Sequence, residues 1–218
     1  EKEPNPVGSY RRTFVLPANW DGKEVILHFD GVYSGMYVWI NGQKVGYSEG
    51  ANNDAEFNIT QYLKKGENII AVEVYRWTDA SYIEDQDMFR MSGIHRDIYL
   101  YAIPKAHVYD YHLESVFVGN DFSSATFKVK ASVRNYSSKS SKKQNLIVNL
   151  IDPSGKEVAT LNREVNVDGS STVDFDLQTK VDNPLLWSAE TPHLYSVIIS
   201  LRDSKGKETE AMSSKFGF

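Results

Sequence analysis

The amino-acid sequence predicts an all-β protein made of two consecutive β-sandwiches. Short runs of β-branched and aromatic residues recur along its 218 residues and alternate in polarity with a period of two, as half-buried strands do. Turn residues, mainly Gly, Pro, Asn and Asp, separate these runs. Pro104 marks a boundary, because a second set of alternating runs begins after it. We therefore predict one domain over residues 1–104 and a second over residues 105–218.

The clearest strand of the first domain has Val25, Leu27 and Phe29 on one face and Ile26 and His28 on the other. This alternation predicts a strand that is buried on one face only. Further strands of this domain are predicted at residues 10–16, 36–40, 43–47, 69–75 and 98–103. The pair Asn41-Gly42 lies between two of these runs and suits the positive φ values of a type I′ turn, which predicts a hairpin.

The second domain has a strand pattern of the immunoglobulin type. Seven runs are predicted as strands, near residues 108–117, 126–133, 146–150, 157–161, 172–177, 195–202 and 208–215. Turn residues at 152–155 and 203–206 separate neighbouring runs. About seven short strands in about a hundred residues is the immunoglobulin-like count.

Composition excludes several classes of function. A net charge of −5 and the lack of a basic stripe argue against a nucleic-acid partner. The absence of cysteine excludes disulfides, thiol nucleophiles and thiolate metal sites. No apolar run is long enough to span a bilayer, so we expect no membrane partner and a soluble protein. Its compartment, cytoplasm or periplasm, stays open. The five histidines form no zinc-binding spacing, and no phosphate loop, dinucleotide motif or serine elbow occurs.

Polar, acidic and aromatic residues are densest at residues 77–97, between the last two strands of the first domain. Glu84, Asp85 and Asp87 lie beside apolar residues that would shield them from water, and a shielded carboxylate needs a partner such as an arginine or a bound cation. Two interpretations stay open: a surface loop tied by ion pairs, or a functional site. Asp85 and Asp87 could also lie close enough together for their carboxyl groups to act as a pair.

Aromatic residues Tyr33, Tyr37, Trp39 and Tyr47 form a second candidate surface, which could stack against sugar rings. At strand spacing such residues are more often ordinary packing.

The run EDQDMFRMSGIHRD at residues 84–97 closely resembles the segment that ends the sugar-binding domain of the large β-galactosidases of glycoside hydrolase family 2. The β-glucuronidases and β-mannosidases of the family share its Gly-Ile-x-Arg part but not the acidic run before it. The motif Asn5-Pro6-x-Gly8-x-Tyr10 and residues 183–195 resemble other family segments, and the latter implies that Trp187 and Tyr195 are anchored in the core. Asp54 departs from the pattern, because several relatives have proline there.

This resemblance implies a galactose-binding-like jelly roll, lacking its first strands, followed by an immunoglobulin-like sandwich. In the family, two catalytic glutamates lie in a TIM barrel that follows these domains. We therefore expect a noncatalytic N-terminal part of an enzyme that hydrolyses terminal β-D-galactosyl residues by the retaining mechanism. The expected partners are a galactoside, the barrel of the parent chain and, in a homo-oligomer, other copies. The alternative is a stand-alone carbohydrate-binding or adaptor module.

The resemblance also gives Asp87 a role. The matching aspartate reaches into the barrel's active site, contacts the galactose 6-hydroxyl and helps to bind a sodium ion. A carboxylate can perform both tasks, because it accepts hydrogen bonds and is a hard oxygen ligand. We expect Asp87 to lie near Arg90 or Arg96 and to keep one oxygen accessible. A magnesium ion in the parent enzyme is a further expectation, without an assigned ligand in this chain.

Overall fold

The computed structural model describes residues 4–84, 87, 89, 91–119 and 121–218. The chain is almost entirely β-structure and divides into two compact units, Glu1–Ile103 and Pro104–Phe218. The predicted all-β class is confirmed. Within the described parts of the chain, no helix has the length and apolarity needed to cross a membrane.

The first unit contains nine strands, one short α-helix and two 3₁₀ helices, Ala18–Trp20 and Thr60–Tyr62, among its described residues. The strands are β1 Val7–Val15, β2 Glu24–Phe29, β3 Val32–Tyr33, β4 Gly35–Ile40, β5 Gln43–Glu49, β6 Ala55–Asn58, β7 Glu67–Tyr75, β8 Gly93–Ile94 and β9 Ile98–Ile103, and the helix is α1 Ala80–Ile83. Antiparallel pairing gives a four-stranded sheet, β1-β7-β4-β5, a three-stranded sheet, β6-β2-β9, and the short pair β3-β8. Side chains from β2, β4 and β7 meet in the core between the two larger sheets.

The predicted half-burial of β2 is wrong, because all six of its residues are buried. Val25, Leu27 and Phe29 face the core as expected. On the opposite face, the ring of His28 stacks on Tyr99 with centroids 4.6 Å apart, and the residue as a whole is buried. Neighbouring strands therefore cover a face that the alternation alone assigned to solvent.

The hairpin at Asn41-Gly42 is confirmed. Asn41 has a φ of 52° and Gly42 a φ of 80°, as a type I′ turn requires at both central positions. Ile40 pairs with Gln43 across the turn, which fixes the register of β4 against β5.

The second unit contains all seven predicted strands. They are β10 Ala106–Phe117, β11 Ser124–Asn135, β12 Gln144–Ile151, β13 Glu157–Val165, β14 Thr172–Asp182, β15 Tyr195–Asp203 and β16 Glu208–Phe216. The sheets β10-β11-β14 and β13-β12-β15-β16 enclose one core, to which both contribute fully buried residues such as Phe127, Leu146 and Leu201. The predicted turns are present: Asp152 and Asp203 each accept backbone hydrogen bonds, and Gly155 and Gly206 have positive φ.

Residues 183–195 follow the sequence prediction only in part. Tyr195 is buried at 3% exposure, and its hydroxyl accepts a hydrogen bond from the Leu185 N–H at 2.9 Å. Trp187 is 51% exposed, so its predicted place in the core is wrong. Its backbone N–H donates to the Phe218 carbonyl at 2.8 Å, which ties this loop to residue 218 through the main chain.

Candidate functional site

The acidic loop at residues 77–97 is anchored at its first residue by the Asn5 motif. The Asn5 amide donates to the Trp77 carbonyl at 2.8 Å and its oxygen accepts from the Trp77 N–H at 3.0 Å. One residue later, the hydroxyls of Thr78 and Ser34 lie 2.9 Å apart. Since Ser34 precedes β4, the start of the loop is attached to the four-stranded sheet β1-β7-β4-β5.

The end of the loop is anchored to the turn that follows β2. Strand β8 pairs with β3, and the Asp30 N–H donates to the Asp97 carbonyl at 3.0 Å. Arg96 completes this attachment, because its Nη1 donates to the Asp30 carbonyl at 3.3 Å. A loop fixed at both ends can hold its middle residues on a stable base.

Gly93 brings two segments into contact, the one around residues 93–96 and the one at residues 5–10, both of which resemble family motifs. It has a φ of 98°, and a Cβ at this position would lie 2.9 Å from the Tyr10 hydroxyl oxygen. A side chain here would meet both an unfavourable backbone conformation and a close neighbour. The Gly-Ile-His-Arg segment and the Asn5-Pro6-x-Gly8-x-Tyr10 segment are thus parts of one local structure.

Asp87 lies in the middle of this anchored loop and is exposed. Arg96 donates to the Asp30 backbone carbonyl, and no ion pair between Arg96 and Asp87 occurs among the described residues, so the expected position of Asp87 near Arg90 or Arg96 stays a prediction. The alternative partner Arg90 and the neighbouring Asp85 lie outside the described residues. The apolar shielding expected from the sequence is also absent for the described neighbours, because Phe89 is 93% and Met91 67% exposed. Asp87 therefore offers an accessible carboxylate, a single hard oxygen ligand for a cation or a sugar hydroxyl.

A second group of acids, Glu49, Asp79 and Glu84, lies at the base of the loop, and the sequence singled out only Glu84 among them. Burial first, and then the negative charge of Asp79, raises the pKa of the Glu49 carboxyl, with a smaller contribution from Glu84. The Tyr47 hydroxyl donates to Glu49, and a Glu84 oxygen accepts from the Ala51 N–H at 3.0 Å. Burial and repulsion by the neighbouring carboxylates both disfavour the charged form of Glu49, which is why the shift is upward. Only the folded chain brings Glu49 to the other two acids, because Glu49 ends β5 whereas Asp79 and Glu84 follow β7.

The aromatic surface predicted from the sequence is present in part. Tyr37 lies on the outer face of β4, with the rings of Tyr47 and Trp39 at 4.6 Å and 6.0 Å from it. Lys44 extends over the Tyr37 ring, its Nζ 4.0 Å from the centroid. Tyr33 is buried and does not belong to this surface.

Both units of the chain match known protein families. The sugar binding domain of the glycosyl hydrolases family 2 matches residues 1–104, and a second family 2 model matches residues 106–218.

Relatives with curated names extend over the whole chain. A β-galactosidase of Priestia megaterium is 44% identical over 98% of the chain, and one of Halalkalibacterium halodurans is 40% identical over 100%. The chain spans about a fifth of the length of these relatives, 21% and 20% respectively.

Solved structures agree on the fold. A β-glucuronidase of Bacteroides uniformis superimposes with a TM-score of 0.91 at 28% identity, covering 99% of this chain and 26% of that protein. A putative β-galactosidase of Bacteroides fragilis superimposes with a TM-score of 0.88 over 99% of this chain and 33% of that protein, at 24% identity.

Proposed function

Because the chain belongs to glycoside hydrolase family 2, we propose that it is the noncatalytic N-terminal part of an enzyme that hydrolyses terminal β-D-galactosyl residues. Relatives named β-galactosidase align with the whole chain, and the chain corresponds to only a fifth of their length. Retaining hydrolysis needs two carboxyl groups about 5–5.5 Å apart on a rigid scaffold. In this proposal a barrel domain of the same parent protein supplies that pair.

One observation carries the proposal furthest: Asp87 is exposed in the middle of a loop that hydrogen bonds fix at both ends. Such a carboxylate can be presented to a sugar bound mainly by another domain. In this role it accepts a hydrogen bond from the galactose 6-hydroxyl.

The charge of Asp87 also supports a galactoside over a glucuronide. A glucuronide carries a carboxylate at the carbon where galactose carries its 6-hydroxyl, so the carboxylate of Asp87 would repel it. A hydroxyl at the same place would instead form a charge-assisted hydrogen bond. Glycoside specificity in this proposal therefore depends on the sign of one charge.

The accessible carboxylate of Asp87 also suits the binding of a sodium ion. The carboxylate is a hard oxygen ligand that suits such an ion and would help to orient the sugar beside it. One carboxylate does not replace the hydration shell of a monovalent ion, so the remaining ligands would come from the rest of the parent enzyme. The isolated chain should then bind sodium weakly.

The test uses the full-length protein and nitrophenyl glycosides. We expect turnover of the β-galactoside and little turnover of the β-glucuronide. Asp87→Asn should lower kcat/KM for the galactoside by roughly 10- to 100-fold, because a hydrogen bond to a charged group is worth about 1.5–3 kcal/mol. The unfolding midpoint should stay unchanged, since Asp87 is exposed.

Asp176→Asn is the matched control, because Asp176 is an exposed acid on β14 in the second unit. It should leave kcat/KM unchanged. Preference for the glucuronide would contradict the galactoside assignment, and unaltered kinetics in Asp87→Asn would contradict the role of that residue.

A stand-alone carbohydrate-binding module is the second candidate, and the aromatic face of β4 and β5 favours it. Tyr37, Trp39 and Tyr47 adjoin one another there, as stacking platforms for sugars do. Trp39→Ala would abolish oligosaccharide binding by the chain alone if this were the function. If the main proposal is correct, neither the unaltered chain nor this variant binds oligosaccharides tightly.

A further inference from the structure

A histidine and three acids converge on the outer face of the sheet β6-β2-β9. His28 pairs in register with Glu56 of β6 on one side and with Tyr99 of β9 on the other. Asp30 follows two residues later on the same face, and Asp54 immediately precedes β6. The acidic loop and its proposed sugar contact do not use these side chains.

Both nitrogens of the His28 ring face carboxylate oxygens. Nδ1 lies 2.8 Å from Glu56 Oε1, and Nε2 lies 2.9 Å from Asp30 Oδ1 and 4.0 Å from Asp54 Oδ2. One donor atom from each of His28, Asp54 and Glu56 lies within 4.8 Å of the other two. This spacing allows a single ion to contact all three residues.

The histidine is rigid and the acids are accessible. The His28 side chain is 10% exposed and stacks on Tyr99 at 18° between ring planes. The side chains of Asp54 and Glu56 are 66% and 48% exposed, so an ion can enter from water. The Tyr101 hydroxyl donates to Glu56 Oε1 at 2.6 Å and restricts that carboxylate.

The cluster carries an excess of negative charge. Among the described residues no lysine or arginine forms an ion pair with Asp30, Asp54 or Glu56, and Arg96 donates to the backbone carbonyl of Asp30 instead. A cation would offset this local repulsion.

We propose that His28, Asp54 and Glu56 form a binding site for a divalent transition-metal ion of the Zn²⁺ class. An imidazole nitrogen with carboxylate oxygens is a ligand set that suits Zn²⁺, Co²⁺ and Ni²⁺ better than Mg²⁺ or Ca²⁺. Asp30 would hold the second ring nitrogen. Such a carboxylate partner commonly fixes the orientation of a metal-bound histidine.

The test is calorimetric titration of the 218-residue chain with Zn²⁺ near neutral pH, followed by Co²⁺ absorption spectroscopy. We expect one ion per chain with micromolar affinity or tighter, and Co²⁺ bands that show nitrogen and oxygen ligands. Mg²⁺ should not compete at similar concentrations. Asp54→Asn should weaken Zn²⁺ binding by roughly tenfold or more without harming the fold, because this side chain is exposed.

Two controls separate this site from other metal contacts. Asp21→Asn, at an exposed acid just before β2, should leave the affinity unchanged, as should His193→Gln at an exposed histidine. His28→Gln should abolish Zn²⁺ binding. If His28→Gln fails to fold, the Zn²⁺ affinity of Asp54→Asn tests the proposal instead. No saturable Zn²⁺ binding below the millimolar range would overturn the proposal, as would binding that Asp54→Asn leaves unaltered. These measurements involve no hydrolysis, so their outcome is independent of the proposed enzymatic function.

Discussion

The two units use their residues differently. Among the described residues, the core cluster of the second unit has nineteen members and that of the first has ten, although the units are of similar length. The first unit instead contains the anchored loop, the acids around Glu49 and the His28 cluster. Similar architectures can thus serve for stability in one unit and for presenting polar groups in the other.

The edges of the two larger sheets in the first unit expose apolar surface that its core buries. Strands β1 and β9 are edge strands, and a cleft of about 770 Å³ is lined by residues of both. Leu27 of the core contributes to its wall, and Val15 on β1 is 67% exposed. Apolar surface at unpaired strand edges favours association with further β-structure.

The largest expected effect concerns the core of the second unit. Phe127 is fully buried and lies 5.1 Å from the ring of Phe216. Phe127→Ala should lower the free energy of unfolding by about 3–5 kcal/mol, measured by urea denaturation. Phe122→Ala is the control, because Phe122 is 53% exposed and should cost far less. Equal losses from both variants would contradict the scaffold role of this core.

The second prediction concerns Glu210 in the same unit. Burial raises the pKa of its carboxyl from 4.5 to about 7, although the Val108 N–H donates to it and lowers the value slightly. Between these pH values the folded chain keeps a proton that the unfolded chain releases. Stability therefore falls as the pH rises, by at most about 3 kcal/mol.

Urea denaturation at about pH 5 and about pH 7.5 measures this difference. Glu210→Gln should remove most of it, whereas Glu208→Gln should not, because the Glu208 side chain is 50% exposed. An unaltered pH dependence in Glu210→Gln would show that another group causes it.

The third prediction tests the loop of the first unit. Gly93→Ala should cost about 1–3 kcal/mol, because its positive φ combines with the contact to Tyr10. Gly22→Ala is the control. Gly22 has a φ of 77°, but a Cβ added there would have nothing within 4 Å, so this substitution should cost only about 1 kcal/mol. Hydrogen exchange should quicken at residues 91–97 in Gly93→Ala alone. Equal hydrogen-exchange rates in both variants would show that Gly93 does not help to anchor the loop.

The smallest expected effect concerns the open edges of β1 and β9. The chain should self-associate weakly in sedimentation velocity experiments, with a larger fraction associated at higher concentration. The double variant Val15→Lys, Ile98→Lys should reduce association, because it places charges on both edges. A strictly monomeric unaltered chain would contradict this interpretation of the cleft.

Regular strands and turns were predictable because their signals are local. The alternation in β10 to β16 and the Asn41-Gly42 pair specify strands and a hairpin without knowledge of their partners. The outer face of β2 was wrongly predicted, since its burial depends on Tyr99, which is far along the chain. Trp187 was wrongly placed for a related reason: a motif gives its loop but not the packing of its ring.

The candidate sites divide in the same way. Asp87 was identified by resemblance of a contiguous segment, and its exposure is a property that the sequence did not establish. The His28 cluster depends on the register of β2 against β6 and β9, so histidine spacing along the chain gave no indication of it. Glu49 and Asp79 likewise become neighbours only through the fold.

The central claim is that the first unit supplies Asp87 to a sugar site that another domain completes. Titration of the 218-residue chain with galactose in the presence of sodium, followed by amide NMR, tests it directly. One exposed carboxylate contributes too little to bind a sugar alone, about 1.5–3 kcal/mol. We predict no saturation below the millimolar range. Saturable binding at micromolar galactose would contradict the claim and favour a self-sufficient carbohydrate-binding module.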